Sequence, residues 1–208
     1  MNTSDGVGAR VVQTAGPVLI IGSGLLGASL GLALRAGGVR VYLEDASPTS
    51  LHLASDVGAG QAFGDVLTEA GVRPRECGSD TPSYQAPSIV VVATPPDVAD
   101  RVIVESLLRF PDAIVTDVAS VKDAVVADVL RGLEREGRLE EASRYVGSHP
   151  MAGRERSGAG AADADLFYGR PWVIVAHEST WPRAVLVARA LATDVGAVPL
   201  EMNAGTHD

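Results

Sequence analysis

The chain has 208 residues, enough for one substantial domain with little room for a complete second one. Apolar residues make up 46% of it and charged residues 21%, a balance typical of globular proteins and not of disordered or collagen-like ones. The formal net charge of −9 argues against nucleic acid and anionic membranes as partners, because both attract a basic surface. We therefore expect a folded, soluble protein, in which a local basic pocket for a small acid is still allowed.

The composition also argues against disulfide and metal chemistry. Cys77 is the only cysteine, so neither an intrachain disulfide nor a thiolate cluster for zinc can form, and a reducing cytoplasm is the expected location. The four histidines have no spacing typical of a metal site. Residues 1–16 contain neither the pattern of a secretion signal nor an apolar stretch that could span a bilayer, and we expect them to be a disordered lead-in.

From residue 17 onward, short β-branched runs alternate with segments of helical period, which predicts an α/β fold. The predicted strands are residues 18–21, 39–43, 89–93, 114–116, 145–147, 172–175 and 197–200. The predicted helices are residues 25–35, 48–57, 96–109, 121–135 and 181–195. Right-handed crossovers would arrange them as a doubly wound, mostly parallel Rossmann-type sheet. Residues 64–87 carry scattered Gly, Pro and Ser and are predicted to be an irregular excursion between strands.

A glycine-rich turn follows the first predicted strand and opens the first predicted helix. It consists of Gly22, Ser23, Gly24, Leu25, Leu26 and Gly27. The first glycine permits a tight turn, the second lets the backbone approach a pyrophosphate, and the third lets helix and strand pack closely. The helix N-terminus favours an anion. We predict that these six residues bind a dinucleotide; a glycine-rich turn in an unrelated α/β fold is the alternative.

Asp45 follows the second predicted strand, about 20 residues after the glycines, where it would accept hydrogen bonds from the adenosine ribose. A carboxylate there repels a 2'-phosphate, and neither Arg nor Lys directly follows it, so we predict NAD and not NADP as the cofactor. Glu44 competes for this role, and a strand-end carboxylate can also simply cap a loop.

Thr94, Pro95 and Pro96 follow a predicted central strand, and the carboxyl ends of such strands face the cofactor in a doubly wound sheet. We predict that these three residues contact the cofactor. The same residues also fit a turn and a helix start.

Two later strand ends carry polar residues that should line one crevice. Histidine is a residue type that commonly acts as a general base, so His149 could take a proton from a substrate hydroxyl, and Ser120 could orient it or share that hydroxyl. Lys122 could complement an anion or solvate the next helix. By residue type alone, a structural His149 and a Ser120 that caps the next helix are the alternatives.

These two segments resemble the signature segments of the prephenate/arogenate dehydrogenase family, the oxidative enzymes of tyrosine biosynthesis. The family has Ser-Val-Lys after an Asp-containing strand end and a Gly-x-His-Pro-(Met/Ile)-Ala-Gly segment. This chain has Ser120-Val121-Lys122 and Gly147-Ser148-His149-Pro150-Met151-Ala152-Gly153. The similarity continues in Ser157-Gly158 and in Leu166-Phe167-Tyr168-Gly169 before Trp172, so that it extends over nearly the whole chain.

The resemblance implies a reaction and roles for these residues. His149 would deprotonate the 4-hydroxyl of a cyclohexadienol, hydride would pass from that carbon to NAD, and loss of the ring carboxylate as carbon dioxide would aromatise the product. Ser120 would hydrogen-bond to the hydroxyl and to His149. By residue type and not by the resemblance, Arg154 or Arg156 could steer a dicarboxylate substrate by its charge, although a solvated loop explains both equally well. Prephenate and arogenate are both possible substrates.

In the family, a His-Asp pair opens a second, all-helical domain that supplies the dimer interface and further substrate-binding residues. His207-Asp208 matches that pair. We therefore expect an NAD-binding domain at residues 17–202, the start of a truncated helical domain at 203–208, and a homodimer only when that domain is present. Another hydroxyacid dehydrogenase and an NAD-sensing regulatory module that turns nothing over are the alternative functions.

Overall fold

The computed structural model describes residues 12–81, 83–152 and 158–202. The strands of this part of the chain are β1 (Val18–Ile21), β2 (Val41–Glu44), β3 (Gln61–Ala62), β4 (Ile89–Val92), β5 (Ile114–Asp117), β6 (Tyr145–Pro150), β7 (Pro171–Val175) and β8 (Val198–Glu201). The α-helices are α1 (Leu25–Ala36), α2 (Pro48–Asp56), α3 (Phe63–Ala70), α4 (Pro96–Arg109), α5 (Asp123–Arg135) and α6 (Pro182–Asp194).

The strands form a single sheet in the order β3-β2-β1-β4-β5-β6-β7-β8. Neighbouring strands are parallel except for β6 and β7, which are antiparallel. The mostly parallel Rossmann-type sheet is therefore confirmed. The chain leaves β1 towards β3 on one side and returns to β4 on the other, so the strand order reverses beside β1. Ligands of open α/β sheets bind at such a reversal, outside the carboxyl ends of the strands.

Helices cover both faces of the sheet because the central strands are buried on both faces. Val18 and Ile20 of β1 pack in the apolar layer that contains residues of α1, α2 and α6. Leu19, between them, packs in the opposite layer with residues of α3, α4 and α5. Successive side chains of a strand point to opposite faces, so one apolar run supplies both layers. None of the described helices is long and apolar enough to cross a membrane.

The predicted irregular excursion at residues 64–87 is wrong at its start, because α3 continues there to Ala70, directly after β3. Only Phe63 and Leu67 of α3 are buried, so the helix buries a narrow stripe in eight residues. So short a stripe, interrupted by Gly64, hides the helical period. Residues 12–16, the described part of the predicted lead-in, are hydrogen-bonded to α6. The backbone N–H groups of Gln13 and Thr14 donate to the carboxylate of Asp194.

Close packing of α1 provides a test of this architecture. A Cβ at Gly31 would lie 2.2 Å from the carbonyl oxygen of Ala59, whereas a Cβ at Gly64 of α3 would meet no described atom within 4 Å. We expect Gly31→Ala to lower the free energy of unfolding by about 1–3 kcal/mol through overpacking. Gly64→Ala, the control, should raise it by up to about 1 kcal/mol through helix propensity. Urea unfolding measures both, and equal effects would contradict the close α1 contact.

Candidate functional site

A cavity of about 990 Å³ opens where the strand order reverses. The glycine-rich turn and the ends of β2 and β4 form part of its wall, and α4 forms the rest. Its lining residues are Ile21, Gly22, Gly24, Leu25, Leu26, Glu44, Asp45, Ala46, Ser50, Ala93, Thr94, Pro95, Val98, Arg101, Val102, Glu105, Ser106 and Arg109. The predicted cofactor residues therefore gather at one site, except that Ser23, Gly27 and Pro96 do not line the cavity.

The three glycines of the turn have different geometric roles. Gly22 has φ +102°, and a Cβ there would lie 2.5 Å from the carbonyl oxygen of Ala93. A Cβ at Gly27 would lie 1.9 Å from the carbonyl oxygen of Gly22. At Gly24 a Cβ would meet no described atom within 4 Å, and no described side chain caps the helix that begins at Leu25. Gly24 therefore leaves space at a helix N-terminus, where the backbone can bind an anion.

The carboxylate of Asp45 is fixed to the glycine-rich turn. Its Oδ2 accepts hydrogen bonds from the backbone N (2.6 Å) and Oγ (2.7 Å) of Ser23, and its Oδ1 accepts one from the backbone N of Ser47 (2.7 Å). A carboxylate has about four acceptor positions, so capacity remains for a ligand hydroxyl. Glu44 pairs instead with Arg109 of α4. Of the two candidates for the ribose, only Asp45 is connected to the turn.

Thr94 and Pro95 line the cavity at the end of β4, and Pro96 is the first residue of α4. The Oγ1 atom of Thr94 is buried and has no hydrogen-bond partner within residues 12–81, 83–152 and 158–202. A buried hydroxyl without a partner costs free energy, which a ligand at this position would recover. Together with the space at Gly24, this hydroxyl fits a bound dinucleotide.

Ser120 and His149 lie at the same edge of the sheet, beyond the last paired residues of β5 and β6. Thr116 of β5 pairs with Val146 of β6, so the chain reaches Ser120 four residues after that pair and His149 three residues after it. Ser120 is exposed and His149 is partly exposed. His149 is still within β6, opposite Val173 of β7, and so belongs to a strand and not to the predicted loop.

One prediction about this region is wrong, and another concerns residues outside the described part of the chain. The alternative role of Ser120 as a helix cap is wrong, because α5 begins at Asp123 and Lys122 occupies the N-cap position. Gly153, Arg154 and Ser157 are not among the described residues, so the steering role of Arg154 stays a prediction. No group of three or more His, Cys, Asp or Glu side chains that could hold a metal ion occurs in the described part of the chain.

Lys122 is wholly buried and forms an ion pair with Asp117, which is also wholly buried. Its Nζ also donates to the carbonyl oxygen of Ser148 at 2.8 Å. The hydroxyl of Tyr145 donates to Oδ2 of Asp117 at 2.8 Å, and Oγ of Ser148 donates to the Asp117 carbonyl oxygen at 2.6 Å. The sequence allowed Lys122 to solvate the next helix. In the structure its side chain is buried and instead joins the ends of β5 and β6.

Tyr145 is the member of this network that the sequence did not indicate, since an aromatic residue at a strand start looks like ordinary core. Burial, followed by the negative charge of Asp117, raises the pKa of Tyr145 well above its ordinary value. The phenol therefore keeps its proton and remains a donor to Asp117.

The buried ion pair predicts a large loss of stability when one partner is removed. We expect Lys122→Met to lower the free energy of unfolding by about 3–5 kcal/mol, because Asp117 would keep a buried, uncompensated charge. Adding Asp117→Asn should recover part of that loss. The control is Arg131→Met, which breaks an exposed ion pair with Asp128 and should cost less than about 1 kcal/mol. Denaturant unfolding measures the free energy of unfolding of each variant. Similarly small losses in Lys122→Met and Arg131→Met would contradict the buried ion pair.

The curated proteins that the chain resembles include prephenate and cyclohexadienyl dehydrogenases. The chain is 37% identical over 190 residues to a probable prephenate dehydrogenase from Streptomyces niveus, covering 91% of this chain and 46% of the relative. It is 27% identical over 201 residues to the prephenate dehydrogenase of Bacillus subtilis, covering 94% of this chain and 49% of that protein. The chain thus spans about half the length of the curated relatives it matches.

The fold agrees with these relatives. A crystal structure of prephenate dehydrogenase from A. aeolicus, in complex with hydroxyphenyl propionate and NAD+, superimposes with a TM-score of 0.74 at 26% identity. The superposition covers 93% of this chain and 62% of that one. The profile of the family described as "Prephenate dehydrogenase, nucleotide-binding domain" matches residues 30–201. The chain therefore belongs to the prephenate dehydrogenase family and contains its nucleotide-binding domain.

Proposed function

We propose that this chain is the NAD-binding part of an NAD-dependent dehydrogenase that oxidatively decarboxylates prephenate or arogenate, a step of tyrosine biosynthesis. The observation that carries the proposal is the glycine-rich turn, with open space at Gly24, which faces the same sheet edge as Ser120 and His149. The family and its relatives support the same chemistry. The activity is proposed for the whole enzyme, in which residues 17–202 are the NAD-binding domain and a helical region supplies the homodimer interface.

The cofactor would bind across the cavity. Its pyrophosphate would lie at the N-terminus of α1 beside Gly24, and its adenosine ribose would donate to the remaining acceptor position of Asp45. The same carboxylate disfavours a 2'-phosphate, which selects NAD over NADP. The hydroxyl of Thr94 would donate a hydrogen bond to the cofactor near the end of β4. When bound, NAD accepts a hydride from the substrate carbon that bears the hydroxyl.

His149 and Ser120 would handle the substrate hydroxyl. His149 accepts its proton while the carbon–hydrogen bond breaks and the carbon–oxygen double bond forms. The ring carboxylate then leaves as carbon dioxide, its bonding electron pair enters the ring, and the ring oxygen regains a proton from His149 to give the phenol. Ser120 would hydrogen-bond to the hydroxyl and to His149, and Arg154 would attract the substrate carboxylates. NAD is the oxidant in this reaction.

The glycine turn provides a test of cofactor binding that needs no turnover. We expect Gly24→Ala to weaken NAD binding at least about 10-fold, because its methyl group would occupy the space needed by the pyrophosphate. The fold should be unaffected, since that space is open. Isothermal titration calorimetry with NAD and NADP measures affinity, and Gly64→Ala serves as the control. Tight NAD binding by Gly24→Ala would contradict the site, and tighter NADP binding would contradict the role of Asp45.

The roles of His149 and Ser120 are tested by turnover in the protein together with any downstream region that its gene encodes. We expect His149→Ala to lower kcat by about 100- to 10,000-fold, the usual contribution of a general base, and Ser120→Ala to lower it less. NADH formation with prephenate and separately with arogenate measures this and identifies the substrate. NAD binding without oxidation of either acid would favour the NAD-sensing module or another hydroxyacid dehydrogenase.

A further inference from the structure

The segment that carries Ser120 is folded around the carboxylate of Asp117. Oδ1 of that carboxylate accepts a hydrogen bond from the backbone N of Ala119 at 2.8 Å and another from Nζ of Lys122. Ala119 directly precedes Ser120, and Lys122 follows it by two residues. Both neighbours are buried, whereas Ser120 between them is exposed. The carboxylate therefore determines where the backbone presents Ser120.

The hydroxyl of Tyr145 holds the other oxygen of this carboxylate. It donates to Oδ2 of Asp117 at 2.8 Å, while the two contacts of the Ser120 segment are made with Oδ1. A carboxylate rotates easily about its last bond, because that torsion has broad minima related by a half turn. Hydrogen bonds on both oxygens oppose this rotation. The phenol therefore fixes the direction in which Oδ1 points towards the backbone of Ala119.

Tyr145 is itself held on its ring and on its backbone. Its ring is stacked on the imidazole of His177, with centroids 6.1 Å apart, and its carbonyl oxygen accepts a hydrogen bond from Oγ1 of Thr180 at 3.1 Å. The whole residue is buried. A phenylalanine would fill the same apolar space and keep the ring contact, so the hydroxyl is not needed for packing. What the hydroxyl adds is the hydrogen bond to Asp117.

We propose that Tyr145 is a positioning residue of the reaction, whose hydroxyl orients the Asp117 carboxylate and through it the backbone that presents Ser120 to the substrate. This inference rests on the proposed dehydrogenase function and adds a buried residue that acts through another. Neither Asp117 nor Tyr145 is among the residues that line the cavity. The effect of Tyr145 should therefore appear in turnover and not in the affinity for NAD.

Amide hydrogen exchange in the 208-residue chain, followed by NMR, tests the positioning without any turnover. We expect Tyr145→Phe to accelerate exchange of the Ala119 amide by about 10-fold or more, because its acceptor is no longer held on both oxygens. The adjacent amide of Val118 donates to the carbonyl oxygen of Val92 at 3.1 Å and should change by less than about 2-fold. General loss of stability would instead accelerate both amides.

Tyr84→Phe is the matched control. Tyr84 is also a buried tyrosine, and its hydroxyl donates to the carbonyl oxygen of Cys77 at 2.6 Å, away from the ends of β5 and β6. The control removes the same polar atom and leaves the Asp117 carboxylate untouched. It should therefore keep the ratio of the Ala119 and Val118 exchange rates.

Turnover in the protein, together with any downstream region that its gene encodes, tests the consequence for the reaction. The substrate is prephenate or arogenate, whichever the unmodified protein oxidises. We expect Tyr145→Phe to lower kcat by about 10- to 100-fold, because a small displacement of a positioned group has effects of this size. The affinity for NAD, measured by calorimetry, should match that of the unmodified protein. Tyr84→Phe should keep both values.

The outcomes distinguish this inference from the function on which it rests. Equal acceleration at Ala119 and Val118, or none at either, would overturn the positioning role, and so would an unchanged kcat in Tyr145→Phe. Oxidation of neither acid by the unmodified protein would overturn the proposed function, whereas the exchange rates would still decide whether Tyr145 orders this segment. The unmodified chain should exchange the Ala119 amide about as slowly as that of Val118. Fast exchange there would overturn the contact with Asp117 even if Tyr145→Phe does not fold.

Discussion

The carboxyl edge of the sheet depends on one wholly buried ion pair, between Asp117 and Lys122. Removing two charges from water costs several kcal/mol per ion, and only good geometry and further hydrogen bonds offset that cost. Here the Tyr145 hydroxyl and the Ser148 carbonyl supply them. The pair therefore stabilises one relative arrangement of β5 and β6. In the sequence, Ser120 lies between the two charged residues and His149 directly follows Ser148. The positions of both proposed substrate contacts therefore depend on the ion pair.

The cofactor side of the same edge depends on backbone geometry and not on charge. Gly22 and Gly27 are restricted by carbonyl oxygens, so a side chain at Gly22 would push the turn away from the end of β4, and one at Gly27 would push α1 away from the turn. Gly24 is different, because space surrounds the position of its missing Cβ. Two glycines thus serve the fold and one leaves room for a ligand. Because β4 and β5 are adjacent, the glycine turn and the ion-paired segments belong to one continuous edge.

Two consecutive carboxylates have separate environments because successive side chains of an extended segment point to opposite faces. Asp45 contacts Ser23 of the glycine turn, whereas Glu44 contacts Arg109 on α4. Asp45 therefore lies at the end of the cavity formed by the glycine turn, and Glu44 lies at the end formed by α4.

The sequence by itself determined the α/β class, the positions of most strands and helices, and the glycine turn, because periodicity and residue spacing are local properties. It missed α3, whose buried stripe is too short to show a period. Only the tertiary structure decided that Lys122 is a buried ion-pair partner, that Ser120 is no helix cap, and that Glu44 faces α4. Those outcomes depend on contacts between distant residues, such as Glu44 with Arg109 at a separation of 65 residues and Asp117 with Tyr145 at 28. A linear pattern does not encode which side chains the folded sheet brings together.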